Sequence, residues 1–155
     1  MAGVQEEIRQ TRPFASLEEE AFLALQLTAD RLQWQAAEVM KPHAVSPTQY
    51  NALRILRGAG AKGLPCREIG ARMINRDPDI TRLLDRLERR GLVRRSRDQK
   101  DRRVIMAYIA PAGLQLLQGL DQPMAEFQRR LLGRLGERRL KSLIKFLELA
   151  RKSVG

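Results

Sequence analysis

The sequence has one cysteine, Cys66, and one histidine, His43, in 155 residues. A lone thiol excludes an internal disulfide and a thiolate zinc site, and fits a reducing compartment. A lone imidazole, following a proline and without Cys or His at ligand spacing, leaves zinc no ligand set; His43 reads as loop. Long apolar runs are missing too. None approaches the ~18 residues needed to span a bilayer, and the opening "MAGVQEEIRQTR" has no apolar h-region. The expectation is a soluble, cytoplasmic protein with no membrane partner. The one G-x-G-x-x-G, "GAGAKG" from Gly58 to Gly63, follows a helical pattern instead of a strand and precedes "LP", so it does not read as a dinucleotide turn. No nucleophile motif and no converging set of titratable side chains is visible, so neither enzyme nor cofactor is expected. Negative charge is the scarcer sign: 18 Asp and Glu face 29 Lys and Arg, a net charge of +11. That balance points to polyanion partners. A hydrophobic fraction of 43% over this length is enough for one domain with a core.

What is present is mostly helical periodicity. Ser16 and Glu19 have capping-box spacing, so a helix begins at Leu17. Phe22, Leu25, Ala29, Leu32, Ala36 and Val39 then form an apolar stripe that ends at Pro42. A second helix opens at "SPTQ", with Ser46 as N-cap, Pro47 at the first position and Gln49 closing the box; Gly58 and Gly60 stop it. "LPCREIGARMI" predicts a short third helix with Leu64, Ile69 and Met73 inward. Asp77 with Pro78 predicts the start of a fourth, whose Ile80, Leu83, Leu84 and Leu87 form the buried edge and which ends at Gly91. The period then changes. Leu92–Arg95 and Val104–Ile109 are β-prone runs around a charged centre, a hairpin with a long loop. After Pro111, Leu117, Leu120, Met124, Phe127 and Leu131 mark a fifth helix, kinked at Pro123, and Leu140, Leu143, Ile144 and Leu147 a sixth. Stripes on both terminal helices suit pairing of two copies of the chain as well as internal packing.

Between Cys66 and Arg103 lie thirteen Lys or Arg against seven Asp or Glu. On the fourth helix the outward face carries Asp79, Thr81, Arg82, Asp85, Arg86 and Arg89. Arginine's fork matches both the acceptor pair of guanine and phosphate oxygens. The bland alternative is a solvated face laced with pairs such as Asp85–Arg89. The hairpin tip "RDQKDRR" adds Arg97, Lys100, Arg102 and Arg103. On an extended strand Asp101 and Arg103 share a side, so the carboxylate is expected to orient the guanidinium at a minor groove. Charge that blunts an edge strand is the alternative there.

A helix-turn-helix followed by such a wing is more specific than either piece, and the sequence resembles the multiple antibiotic resistance regulator (MarR) family of winged-helix transcription factors. The likeness rests on "SPTQYNALRIL", "DITRLLDRLERRGLVRR" and "DRRVIMAYIAPAG", and the element order agrees over about residues 16–153. The resemblance implies a mainly α fold with a small β-hairpin wing. Residues 1–155 would form one domain, with dimerisation helices at 16–42 and 111–153 and a winged helix-turn-helix DNA-binding lobe at 46–110. It implies a homodimer joined by the first, fifth and sixth predicted helices on a pseudo-palindromic operator in double-stranded DNA. It implies a repressor released by a small aromatic or phenolic effector. Thr81, Arg82 and Arg86 would enter or flank the major groove, with Asp79 adding base choice. Arg103, set by Asp101, would be the wing arginine, and Arg67, Arg76, Arg97, Lys100 and Arg102 complete the DNA face. Ala110 departs from the family, which often has a capping threonine there. Trp34, Tyr50 and Arg54 are candidates for an effector cleft, with ordinary packing as the alternative. Cys66, at a helix start beside Arg67, is either filler or an oxidant-sensitive thiol. The competing reading of the whole is a basic helical adaptor for an acidic protein or membrane surface.

Overall fold

The structure is a computed structural model that describes residues 3–74 and 79–154. The long first helix has the expected start. In α2 (Leu17–Met40) the Ser16 hydroxyl accepts from the Glu19 N–H, and the Glu19 carboxylate reaches back to the Ala15 N–H, one residue earlier than in a standard box. A single turn, α1 (Val4–Glu7), which the periodicity does not reveal, precedes it and is tied on by an ion pair between Glu7 and Arg31. α3 (Pro47–Ala59) has the full reciprocal box of Ser46 and Gln49. It runs through Gly58 and stops at Gly60, so only the second of the two expected glycine stops acts.

After α3 the chain forms a strand of two residues, β1 (Leu64–Pro65), and only then the third long-predicted helix, α4 (Cys66–Arg72). Leu64 is therefore buried from a strand and not from a helix face. The predicted cap at Asp77 and start at Pro78 lie outside the described residues. In the described chain Asp79 caps α5 (Ile80–Arg89). α5 closes with a Schellman arrangement: the Gly91 N–H donates to the Glu88 carbonyl and the Leu92 N–H to the Leu87 carbonyl. Gly91 holds φ at 68°, a conformation that a side chain would strain. β2 (Val93–Arg97) and β3 (Ile105–Ile109) follow. β3 lies between β1 and β2, antiparallel to both, with Arg94 opposite Tyr108 and Arg97 opposite Ile105.

α6 (Pro111–Leu132) starts at Ala110 without a side-chain cap bond, as the departure at that position implies, and Pro111 presets its first turn. It continues through Pro123 as one helix, and α7 (Gly136–Lys152) follows after a tight turn. Among the described residues no helix is long and apolar enough to cross a membrane.

The core forms where α3, α4, α5 and the sheet meet the lower halves of α2 and α6. Leu53, Leu56, Ile69, Leu84, Leu87, Leu117 and Leu120 are its fully enclosed members. The α2 stripe divides. Leu32, Ala36 and Val39 are half-buried and Met40 is in the core, whereas Phe22 and Leu25 remain 59% and 45% exposed. α7 buries no residue. Arg57 of α3 grips both carboxylate oxygens of Asp121 on α6, at 3.0 and 2.8 Å, fixing the lobe to the long helices.

The wing base comes close to α6 at Gly113, where an added Cβ would lie 2.3 Å from the Leu92 carbonyl oxygen. Gly113→Ala is therefore expected to lower unfolding free energy by about 1–3 kcal/mol in urea denaturation. Gly58, helical with nothing within 4 Å of its virtual Cβ, gives the opposite sign: Gly58→Ala should stabilise by about 0.4–1 kcal/mol.

Candidate nucleic-acid interface

The site begins with the way α5 is held. Leu83, Leu84 and Leu87 fix one edge in the core, so Thr81, Arg82, Arg86 and Arg89 are turned to solvent. Asp79 is engaged locally. Its Oδ1 accepts from the Arg82 N–H at 3.1 Å and its Oδ2 lies 3.3 Å from Arg82 Nε. The carboxylate thus caps the helix and aims the guanidinium, whose side chain stays 79% exposed. Arg82 and Arg86 share a groove with Ser46, Thr48 and Gln49 at the start of α3. Sequence reading missed that contribution. The Ser46–Gln49 box marks a helix start, but not what the start faces. Arg67 is exposed on α4, and Arg76 lies outside the described residues.

Among the described residues, the acidic residues behind this face have a single cationic partner. Arg95, on β2, donates from Nε and Nη2 to Glu88 Oε2 at 3.0 and 2.7 Å, and its Nη2 also donates to Asp85 Oδ1. The Arg95 backbone N–H adds a bond to Glu88 Oε1 at 3.0 Å. The expected Asp85–Arg89 pair does not form, because Arg95 reaches Asp85 from the strand, and Arg89 is left exposed. These hydrogen bonds hold Glu88 below the usual carboxylate range and raise Arg95 above the ordinary arginine value. Other members of the basic run also have structural work. Arg90 donates to the Ala44 and His43 carbonyls, Arg72 pairs with Glu68, and Arg94 lies over the Tyr108 ring at 4.4 Å.

The wing tip is a turn, not a continued strand. The Asp98 N–H donates to the Val104 carbonyl and the Val104 N–H to the Asp101 carbonyl. Asp101 Oδ1 accepts from the Arg103 backbone N–H at 3.0 Å, so it sets the path of the chain and not, as expected for an extended segment, the guanidinium. Arg97, Lys100, Asp101, Arg102 and Arg103 are all exposed around this tip.

A separate cavity of about 430 Å³ opens between α2, α3 and α6, with walls that include Ala36, Met40, Met124 and Phe127. Tyr50 and Arg54 line it, the guanidinium 5.8 Å from the ring centre. Trp34 does not. It is 66% exposed, because two residues from Ala36 is more than half a helical turn, which puts it on the opposite side of α2. Cys66 is partly buried, and burial pushes its thiol up against the opposing pull of Arg95, the opposite direction from that of an activated thiolate. Among the described residues no His, Cys, Asp and Glu cluster could hold a metal ion.

An arginine-faced helix, a cationic hairpin on the same rigid lobe and long flanking helices define a winged helix-turn-helix protein of the type that meets DNA. Residues 45–105 match the profile of the MarR family. The chain is 41% identical to a MarR transcription factor of Planctomyces limnophilus whose crystal structure covers 88% of this chain and 99% of that one, at a TM-score of 0.67. It is also 36% identical over 83 residues to the HTH-type transcriptional repressor MdtR of Bacillus subtilis, 54% of this chain and 52% of that protein. The chain spans about half the length of the curated relatives it matches first. The structure of the S. aureus MepR–DNA complex shares the fold, with a TM-score of 0.77 at 21% identity over 84% of this chain and 95% of that one. The chain belongs to the MarR family.

The Arg95–Glu88 contact makes stability depend on pH. Because the folded-state carboxyl of Glu88 titrates below its ordinary value of 4.5, its stabilisation is complete above that value and disappears as pH falls through the lowered one. Urea midpoints measured downward from about pH 6 to about pH 3 should therefore fall less steeply for Glu88→Gln than for the unmodified protein. Equal slopes would show that Glu88 gains nothing from Arg95.

Proposed function

We propose that the protein is a sequence-specific transcriptional regulator that binds double-stranded DNA as a homodimer, acting as a repressor in the cytoplasm. The observation that carries this reading is the pairing of an exposed Arg82–Arg86 helix face with a cationic wing on one lobe whose relative position Arg95 fixes. Thr81 and Arg82, in the first turn of α5, would enter the major groove, and Arg103 with Arg102 and Lys100 would follow the adjacent minor groove. The apolar half-stripe at Phe22 and Leu25 and the unburied α7 support a dimer, since neither face is covered within one subunit. Two recognition helices would then read half-sites of a pseudo-palindrome about 10 base pairs apart.

The cavity between α2, α3 and α6 is the candidate effector site. Its walls are largely apolar, and Tyr50 and Arg54 offer a ring and a cation to a small aromatic or phenolic molecule. Such a ligand releases DNA only if it binds the DNA-free geometry more tightly than the bound one.

Selection of bound duplex from a random pool, followed by titration of the selected site, tests the reading. The slope of log affinity against log salt should be about −5 or steeper if six or more phosphates are neutralised. Arg82→Ala should reduce discrimination between the selected and a scrambled duplex by about 1–3 kcal/mol. A slope near zero, or no preferred duplex, would defeat the proposal; equal losses on both duplexes would move Arg82 from a base to a phosphate.

A further inference from the structure

Arg82 and Arg86 lie one turn apart on α5 and open into the same groove, but they are held differently. Both oxygens of the Asp79 carboxylate are committed to Arg82. Oδ1 accepts from its backbone N–H at 3.1 Å, and Oδ2 lies 3.3 Å from Nε of its side chain. Among the described residues Arg86 has no acidic partner. Asp79 is therefore both the N-cap of α5 and a clasp on one edge of a guanidinium.

The clasp decides what Arg82 can bind. A guanidinium donates from Nε and from two terminal nitrogens in one rigid fork. With Nε given to Asp79, the terminal pair is what remains. Two parallel donors fit the O6 and N7 acceptors of guanine, and they fit two oxygens of a phosphate as well. The carboxylate separates these targets, because it repels an anion while a base edge carries no net charge. Arg86 has no such bias and suits phosphate. The Arg82 side chain is 79% exposed, so its pairing adds little to folding in water, and the consequence falls on recognition.

We propose that Asp79 is a positioning residue for base choice: it commits Arg82 to a guanine and leaves phosphate to Arg86. The proposal rests on the DNA-binding reading above and deepens it by naming the base. Asp79 acts through Arg82 and touches no base itself. Holding a long side chain in place before binding also removes part of the cost of ordering it, an effect of about two- to tenfold in affinity.

The test uses the full chain and the duplex it selects, with each guanine replaced in turn by 7-deazaguanine, which lacks the N7 acceptor. At one guanine the replacement should weaken the unmodified protein by about tenfold. Asp79→Ser keeps a capping hydroxyl and loses the oxygen at Nε; Asp79→Asn keeps the cap and puts an N–H donor there. In both variants that penalty should shrink to about threefold or less. The slope of log affinity against log salt should steepen by about 0.9 as Arg82 turns to a phosphate, a change that a merely loosened helix would not produce. Melting followed by circular dichroism should shift by no more than about 2 °C, since the cap survives. In an Arg82→Ala background, Asp79→Ser should alter neither the penalty nor the slope. A full penalty or an unchanged slope in both Asp79 variants overturns the inference, as does a selected duplex in which no guanine is sensitive. An effect of Asp79→Ser that survives without Arg82 gives the base contact to Asp79 itself and also overturns it. The absence of any preferred duplex overturns the DNA-binding reading with it.

Discussion

The hydrogen bonds from Arg95 to Glu88 and Asp85 set what the rest of the lobe can do. Leu92, Val93 and Ala107 seat the base of the hairpin in the core. One guanidinium with 22% of its side chain exposed, gripping two carboxylates of α5, adds a polar tie between helix and strand. Both acids are themselves about a third exposed, so the net stabilisation is modest, on the order of 1–3 kcal/mol for the set. Its larger effect is on charge. With Asp85 and Glu88 both drawn back to Arg95, neither pairs with the outward arginines, and Arg86 and Arg89 stay exposed beside the Asp79–Arg82 pair.

The basic run is thus divided by labour that residue type alone conceals. Arg72, Arg90, Arg94 and Arg95 each satisfy a carboxylate, a carbonyl pair or a ring within the subunit. The cations left outward include Arg67 on α4, Arg82, Arg86 and Arg89 along α5, and those around the wing tip. A surface patterned this way does not look like uniform solubilising charge, which would be indifferent to which arginine pairs inward.

Much of the architecture was legible because it follows from periodicity and capping, which are local. Ser46–Gln49, the Leu83–Leu84–Leu87 edge and the α6 stripe all stand as the spacing predicts. What was not legible depends on neighbours distant in sequence or on short elements. The cap expected at Asp77 lies outside the described residues, and Asp79, read only as an outward side chain, is the N-cap of α5. β1 has two residues and exists only because β3 passes beside it. Asp101 acts on backbone because the wing tip turns where an extended strand was expected. Trp34 fails as a cavity residue for a reason the helical period already contains: measured from Ala36, it points the other way. Of the site itself, the outward arginines could be read from the buried edge opposite them, but the part played by the start of α3 could not, since it needs the crossing of two helices.

The placement of the cavity gives an effector a mechanical route to the DNA face. Its walls come from α2 and α6 on one side and α3 on the other, with Met73 and Ile74 at its edge. Asn51 on α3 accepts from the Ile74 N–H at 3.0 Å, so the chain just beyond α4 is tied directly to a helix that lines the cavity. Arg57–Asp121 holds the far end of α3 to α6. On the proposed reading, a molecule that spread α3 from the long helices would be resisted by that ion pair at one end and would pull on Ile74 at the other. In the proposed dimer, small pivots of both lobes would add, and the Arg95 tie would pass such a pivot to helix and wing together.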